Sequence, residues 1–244
     1  MYKSLEKIRL QQFLKMRLHL GHKSKDLDSS LTWLIYGHRH KISIMDIEKM
    51  WIIYRHFYYS LSEMVALRQN FFFIAPQKFL NDKHIKNFII KNFNKNNNYN
   101  SLYLSFFLQE YWKNGMITNP KITKSYLEKE IKKYGESKRL NIWKMNKRFK
   151  SISVPDLIIT LKPKMEILEE ASRFNVPIIS VVDTNMNSSK FLYSLYMNDD
   201  SLESLSFLLE LLQTAIEEGR RKEKIVFYNY FLKKIKKSYK LKNF

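Results

Sequence analysis

Four histidines lie within the first forty residues, and histidine is the side chain that most often binds metals or transfers protons near neutral pH. They are His19, His22, His38 and His40. A metal site also needs carboxylates or further histidines at fixed spacing, and the nearby Asp26 and Asp28 are only loosely placed. We therefore predict no metal site and interpret these histidines as polar surface or RNA-facing groups.

Acidic and amide side chains in two short segments are the second candidate for chemistry. Asp183-Thr-Asn185 directly follows an apolar run, where open parallel sheets often place catalytic groups. The same residue types commonly hydrogen-bond the turn that leaves a strand, and we favour that role for Asp183 and Asn185. Asn198-Asp-Asp200 precedes a predicted helix and is interpreted as a capping segment.

The sequence lacks the loops that bind nucleotide phosphates. It has five glycines, no Walker-type glycine-lysine loop and no Gly-x-Gly-x-x-Gly. It also has no cysteine that could act as a nucleophile or a thiolate ligand. We predict no catalytic residue, no cofactor and no small-molecule substrate. The alternative is a nucleotide-binding enzyme with a site around Asp183 and Asn185.

The basic residues are concentrated in two segments. The chain of 244 residues has 43 Lys and Arg against 23 Asp and Glu, a net charge of +20. Residues 120–150 carry +8 and residues 220–244 carry +9, which leaves +3 for the rest. Both segments interleave aromatic residues, among them Trp143 and Tyr228. This mixture suits RNA, because phosphates bind cations and unstacked bases stack on flat rings.

A second partner class is open for the same segments, because a basic, aromatic tail also suits an anionic membrane surface. A peripheral membrane protein is therefore a further alternative. A membrane span is not expected, since no apolar run reaches the ~18 residues that it needs.

Alternating strands and helices would have to position these groups. Apolar and β-branched runs predict strands at 41–47, 70–76, 101–107, 155–161 and 176–182. Helical periodicity predicts helices at 4–20, 48–68, 78–93, 164–174 and 201–218, the last capped by Asp199 or Ser201. Residues 92–100, rich in asparagine, are expected to form a loop. The alternation predicts an α/β fold with an open parallel sheet and helices on both faces, from which a basic helical segment projects.

Six short motifs, in a fixed order over residues 21 to 220, resemble the ribosomal protein S2 family of bacteria and organelles. Any one of them is unspecific, and the order carries the resemblance. They are Gly21-His22 with Ile35-Tyr-Gly37, the stretch from His40 to Lys49, Gly115-Met-Ile-Thr-Asn119, Pro155-Asp-Leu-Ile-Ile159, the stretch from Asn175 to Asn185 with Asn198-Asp-Asp200, and Glu217-Glu-Gly-Arg220.

The resemblance implies a Rossmann-like (flavodoxin-like) domain with a helical hairpin inserted after Thr118-Asn119. It implies a structural protein of the small ribosomal subunit, bound to ribosomal RNA between head and body beside neighbouring ribosomal proteins, and no catalysis. We expect an amphipathic helix at 1–20, an α/β domain formed by 21–119 and 151–219, the insert at 120–150 and a basic tail at 220–244.

The chain departs from the family pattern before the central motif, where Tyr111 stands in place of an arginine and Asn114 in place of a glycine. Lys113 could restore the lost charge one position away. The residues expected to contact RNA lie in or beside the matched motifs and in the two basic segments: Lys23, Lys25, Trp112, Lys113, Asn114, Thr118, Asn119, Lys121, Lys124, Arg139, Arg220, Arg221 and Lys222.

The composition also bears on location. Lysine is favoured over arginine, while Gly, Pro and Ala are scarce, as expected of an AT-rich organellar genome. The missing cysteines and the altered motifs favour a mitochondrion, with a plastid as the alternative.

Overall fold

The computed structural model describes residues 10–76, 87, 104–108, 112, 114–119, 154–189 and 191–242. Several predictions lie outside these residues: the helix at 78–93 apart from Asn87, the loop at 92–100 and the inserted segment at 120–150. Four of the expected RNA-contacting residues also lie outside them, namely Lys113, Lys121, Lys124 and Arg139.

Four helices and eight strands are described, and they are named here in chain order. The helices are α1 (Leu10–Lys15), α2 (Ile47–Ala66), α3 (Met165–Arg173) and α4 (Leu202–Lys242). The strands are β1 (Leu20–Lys23), β2 (Ile35–Arg39), β3 (Ile42–Met45), β4 (Phe71–Ala75), β5 (Leu104–Leu108), β6 (Leu157–Thr160), β7 (Ile178–Val182) and β8 (Tyr193–Tyr196). Two 3-10 segments, Ser24–Asp26 and Ser29–Leu34, join β1 to β2.

The larger sheet has five parallel strands in the order β5-β4-β6-β7-β8. Every residue of β4, β6 and β7 is buried, which explains why these strands appear in the sequence as continuous apolar runs. The predicted α/β class with an open parallel sheet is confirmed, and α3 forms the expected crossover between β6 and β7. Strand β8 was not predicted, because Tyr193–Tyr196 lacks a long apolar run.

A second sheet, antiparallel and ordered β1-β3-β2, precedes the parallel one. Only β3 was predicted. The helix predicted at 4–20 is wrong beyond Lys15, because Arg17 takes a left-handed conformation (φ 56°). The N–H of Leu18 then reaches the carbonyl of Phe13 at 3.1 Å, a Schellman-type helix end in which both side chains are buried.

Helix α4 packs along α2 through a close crossing at Gly219. A Cβ at that position would lie 2.6 Å from the carbonyl oxygen of Ser62 and from Cβ of Val65, so only glycine allows the two helices to approach this far. The helix continues through Gly219 to Lys242, so the predicted end near Glu218 is wrong. Among the described residues, no helix is long and apolar enough to cross a membrane.

Candidate functional site

A cluster of charged side chains lies at the carboxyl edge of the parallel sheet. Three of its members follow consecutive strands: Lys162 after β6, Asp183 after β7 and Asp199 after β8. The fourth, His22, comes from β1 of the antiparallel sheet. Nδ1 of His22 lies 3.1 Å from Oδ2 of Asp183, and Nζ of Lys162 lies 2.9 Å from Oδ2 of Asp199. Parallel strands collect such groups at one edge because their carboxyl ends all point the same way.

Asp183 is the most buried carboxylate of the cluster, with 1% of its surface exposed. Its Oδ1 accepts a hydrogen bond from the N–H of Thr184 at 2.5 Å, and its Oδ2 accepts one from the N–H of Asp199 at 3.2 Å. Burial raises the pKa of Asp183, while these two bonds and the nearby His22 oppose the shift. The predicted role of Asp183 in the turn after the strand is thus confirmed, and it also binds β1.

Asp199 does not cap α4, although it was one of two residues predicted to do so. Its Oδ2 accepts from Lys162, and this hydrogen bond raises the pKa of the Lys162 ammonium. The hydroxyl of Ser201 lies 3.4 Å from the N–H of Ser204 instead, so Ser201 is the capping residue.

The cluster could in principle hold a cation. One ligand atom each from His22, Asp183 and Asp199 lies within 4.8 Å of the others, and one histidine with two carboxylates is a donor set that divalent metals accept. Lys162 already provides Asp199 with a positive charge, so a cation would compete with that ammonium. The prediction that the chain has no metal site considered His22 together with Asp26 and Asp28, not with Asp183 and Asp199, and it remains a prediction.

The central motif, Gly115-Met-Ile-Thr-Asn119, forms a tight turn. Gly115 has φ 98°, a conformation that favours glycine, and its carbonyl accepts from the N–H of Asn119 at 2.8 Å. The carboxylate of Glu170, from α3, accepts from the N–H groups of Ile117 and Thr118 at 2.7 and 2.9 Å. Glu170 is 4% exposed. This one buried side chain therefore fixes the turn.

The turn presents three of the expected RNA-contacting residues, since Asn114, Thr118 and Asn119 are exposed. Trp112 differs from them, because it is 3% exposed and lies in the hydrophobic core. Its ring surface is not available to a base, which argues against the predicted stacking. Burial of its large apolar ring instead stabilises the fold beneath the turn.

The remaining described candidates lie on two other elements. Lys23 and Lys25 are exposed at the end of β1 and in the following 3-10 segment. On α4, Nζ of Lys222 donates to the hydroxyl of Ser62 at 2.8 Å, and Arg221 lies 3.5 Å from Glu218. Arg220 is partly buried, which lowers the pKa of its guanidinium. Lys222 thus also holds α4 against α2, whereas Arg221 is exposed and pairs within its own helix.

Two contacts of the cluster were not predicted from the sequence: His22 with Asp183, and Lys162 with Asp199. The available signal was positional, because Lys162 and Asp199 each follow a strand within three residues of its end. That signal could be read only with the order β6-β7-β8, and β8 had not been predicted.

In the comparison with known proteins, the matching family model and the similar proteins point to the same family. A family model described as "Ribosomal protein S2" matches residues 13–219. A similar protein from Dictyoglomus turgidum, named small ribosomal subunit protein uS2, is 26% identical over 234 residues, covering 87% of this chain and 90% of that protein. Proteins of the same name from Bartonella henselae and Blochmanniella pennsylvanica are 24% and 22% identical, covering 86% and 87% of this chain and 85% and 97% of theirs.

Proposed function

This chain belongs to the ribosomal protein S2 family, and we propose that it is a structural component of a small ribosomal subunit that binds small-subunit ribosomal RNA. The match over residues 13–219 carries the proposal. The relatives are named as ribosomal proteins, and this chain is accordingly a ribosomal protein rather than an enzyme. Neighbouring small-subunit proteins are its further proposed partners.

The physical basis of the proposed RNA binding is electrostatic. Exposed cations such as Lys23 and Lys25 neutralise RNA phosphates and release their counterions, so affinity should fall steeply as salt rises. The turn that Glu170 fixes adds exposed amide and hydroxyl groups at Asn114, Thr118 and Asn119. A rigid turn binds without a further loss of conformational entropy.

For location we propose a mitochondrion, with a plastid as the alternative. The support is compositional: the chain has no cysteine, and 33 lysines stand against 10 arginines. The relatives named above are bacterial, as expected if an organellar protein descends from a bacterial one. Fractionation of source cells with an antibody against this chain tests the location, and recovery outside organelles would refute it.

The RNA-binding proposal is tested by filter binding of the purified chain to a transcript of its own small-subunit ribosomal RNA across a salt series. A steep, linear fall of log affinity with log salt is expected, and Lys23→Gln with Lys25→Gln should reduce the slope by about 1.5–2. Arg173→Gln, at an exposed position on α3, is the matched control. Equal slopes for all three proteins, or no binding at all, would refute the proposal.

Assembly is tested separately. Sucrose-gradient sedimentation of source lysate should place the chain with small subunits. A pool confined to the top of the gradient would contradict a role in the ribosome.

A further inference from the structure

Most described backbone positions of this chain that favour glycine are occupied by other residues. Six described residues have a positive φ, which favours glycine, and five of the six are not glycine: Arg17, His40, Lys41, Arg68 and Asn175. Three end helices in Schellman-type turns and two form the β2–β3 hairpin turn. A non-glycine residue in this region costs about 1 kcal/mol or more. The chain thus does without glycine even where the backbone favours it, so the glycines it retains need a reason.

Three of the four described glycines have such a reason inside the chain. Gly115 has a positive φ. Gly219 lies against Ser62 of α2, and a Cβ on Gly21 would collide with the side chain of Thr184.

Gly37 has neither reason. Its φ lies outside the left-handed range, and a Cβ built on it would meet nothing within 4 Å. In the interior of a strand, glycine weakens the strand and often marks a place where another molecule approaches closely. Gly37 also borders the β-bulge between Ile35 and Gly37, a second setting in which strands use glycine, and the open space beside it leaves room for a partner outside the chain.

The surface around Gly37 can be derived from the strand register. Gly37 pairs with Ile44, which pairs with Leu20; in the next row Arg39 pairs with Ile42, which pairs with Lys23. Directly paired residues point to the same face of a sheet. Ser43 and Met45 are buried on the opposite face, so these two rows form the outer face of the antiparallel sheet. We call these six residues the hairpin face.

The charged residues of the hairpin face and of its turn are all basic. Arg39 and Lys23 lie at the two ends of one row, and His40 and Lys41 form the adjoining turn. The three strands and this turn contain no acidic residue. Tyr36, at the bulge next to Gly37, is 80% exposed, and a bulge typically re-aims a side chain. Cations around a close-approach point, beside an exposed aromatic ring, fit a ribose-phosphate backbone with a base at its edge.

We propose that the hairpin face binds the ribose-phosphate backbone of small-subunit ribosomal RNA, with Gly37 as the point of closest approach. The inference rests on the proposed function. It adds a contact that the match to the family does not specify. Ribosomal RNA is the partner we assign, because both charged residues of the face, Lys23 and Arg39, are cations and none is acidic, as expected of a surface that binds a polyanion.

The test adds bulk where the fold has room for it. Gly37→Ala and Gly37→Val are compared with the wild-type chain for binding to the small-subunit ribosomal RNA transcript and for thermal unfolding. Both variants should unfold at or above the wild-type temperature, because each fills open space and glycine disfavours strands. Affinity for RNA should fall, by about tenfold or more for valine, which corresponds to about 1.4 kcal/mol.

A second pair of variants tests charge without adding bulk. Arg39→Gln should lower the affinity and reduce the salt slope by about 1, while Arg173→Gln on α3 should leave both unchanged. If Gly37→Val binds the transcript as tightly as wild type, the proposal is wrong. It is also wrong if Gly37→Val unfolds at a lower temperature, because the glycine would then be explained by the fold.

Two further outcomes separate this inference from the proposed function. If the wild-type chain itself does not bind the transcript, the proposed function fails and the hairpin-face proposal fails with it. If Gly37→Val binds the transcript normally but is excluded from assembled small subunits, the face binds a protein. In that case RNA binding by the chain stands and the present assignment is refuted.

Discussion

Replacing Glu170 by alanine should loosen the turn at 115–119 more than any other single change on α3. The carboxylate accepts from the backbone N–H groups of Ile117 and Thr118 at 2.7 and 2.9 Å and lies 3.3 Å from the Thr118 hydroxyl. Ile117 is 2% exposed, so water cannot easily replace the lost acceptor at its N–H.

The expected cost follows from these contacts. A hydrogen bond to a charged acceptor contributes about 1.5–3 kcal/mol, and an orphaned buried donor costs about 1–3 kcal/mol. With two backbone donors affected and partial relaxation of the exposed end at Thr118, Glu170→Ala should lower the free energy of unfolding by about 2–4 kcal/mol. The higher helix propensity of alanine returns only a few tenths of a kcal/mol.

Urea unfolding measures the global effect, and amide hydrogen exchange at Ile117 and Thr118 measures the local one. The matched control is Glu169→Ala, an exposed neighbour on the same helix, which should change stability by less than about 0.5 kcal/mol. Glu170→Ala should also weaken RNA binding, because Asn114, Thr118 and Asn119 lose their fixed positions. Equal stability and equal exchange rates in the two variants would refute the assigned role of Glu170.

Two more predictions concern β1 and the residues before it. Gly21→Ala should destabilise the fold by about 1–3 kcal/mol in urea unfolding, because its Cβ would collide with the buried Thr184 side chain; wild-type stability would contradict this. Burial lowers the pKa of His19 below its ordinary value of 6.5, so the unfolded chain binds more protons there. The free energy of unfolding should therefore fall as pH drops below about 6.5. His19→Gln should reduce this dependence of the free energy of unfolding on pH. His56→Gln, at an exposed position, is the control and should leave the dependence as it is. Equal pH slopes in both variants would refute the role assigned to His19.

The parallel sheet could be predicted from the sequence because its strands are buried on both faces. Runs such as Phe71–Ala75 and Ile178–Val182 are buried on both faces and are predominantly apolar, and prolines at or near their ends marked their boundaries. The antiparallel sheet could not be predicted in the same way. Strand β1 has only four residues and β2 contains Gly37, His38 and Arg39 on a partly exposed surface, so their strand conformation depends on pairing with β3.

The charged cluster shows why a site is harder to predict than a fold. Asp183 was recognised by its position behind a strand, but its partner His22 lies 161 positions earlier in the chain. No local pattern links residues so far apart. Their contact follows from the placement of β1 over the carboxyl edge, which the sequence periodicity does not encode.

That placement determines what covers the carboxyl edge of the parallel sheet. In such folds ligands typically occupy the crevice beyond the carboxyl ends of the strands. Here segments of the same chain occupy it: the N–H of His22 donates to Thr184 Oγ1 at 2.8 Å, the N–H of Asp28 to the Thr184 carbonyl at 2.9 Å, and the N–H of Asn198 to the Leu18 carbonyl at 3.1 Å.

The residues from Leu18 to Asp28 thus lie where a ligand binds in such folds, and Nδ1 of His22 lies 3.1 Å from Oδ2 of Asp183. The turn at 114–119, β1 and the β2–β3 hairpin each carry exposed polar groups. If the proposed function is correct, an extended polyanion such as ribosomal RNA would contact several of these outer surfaces at once.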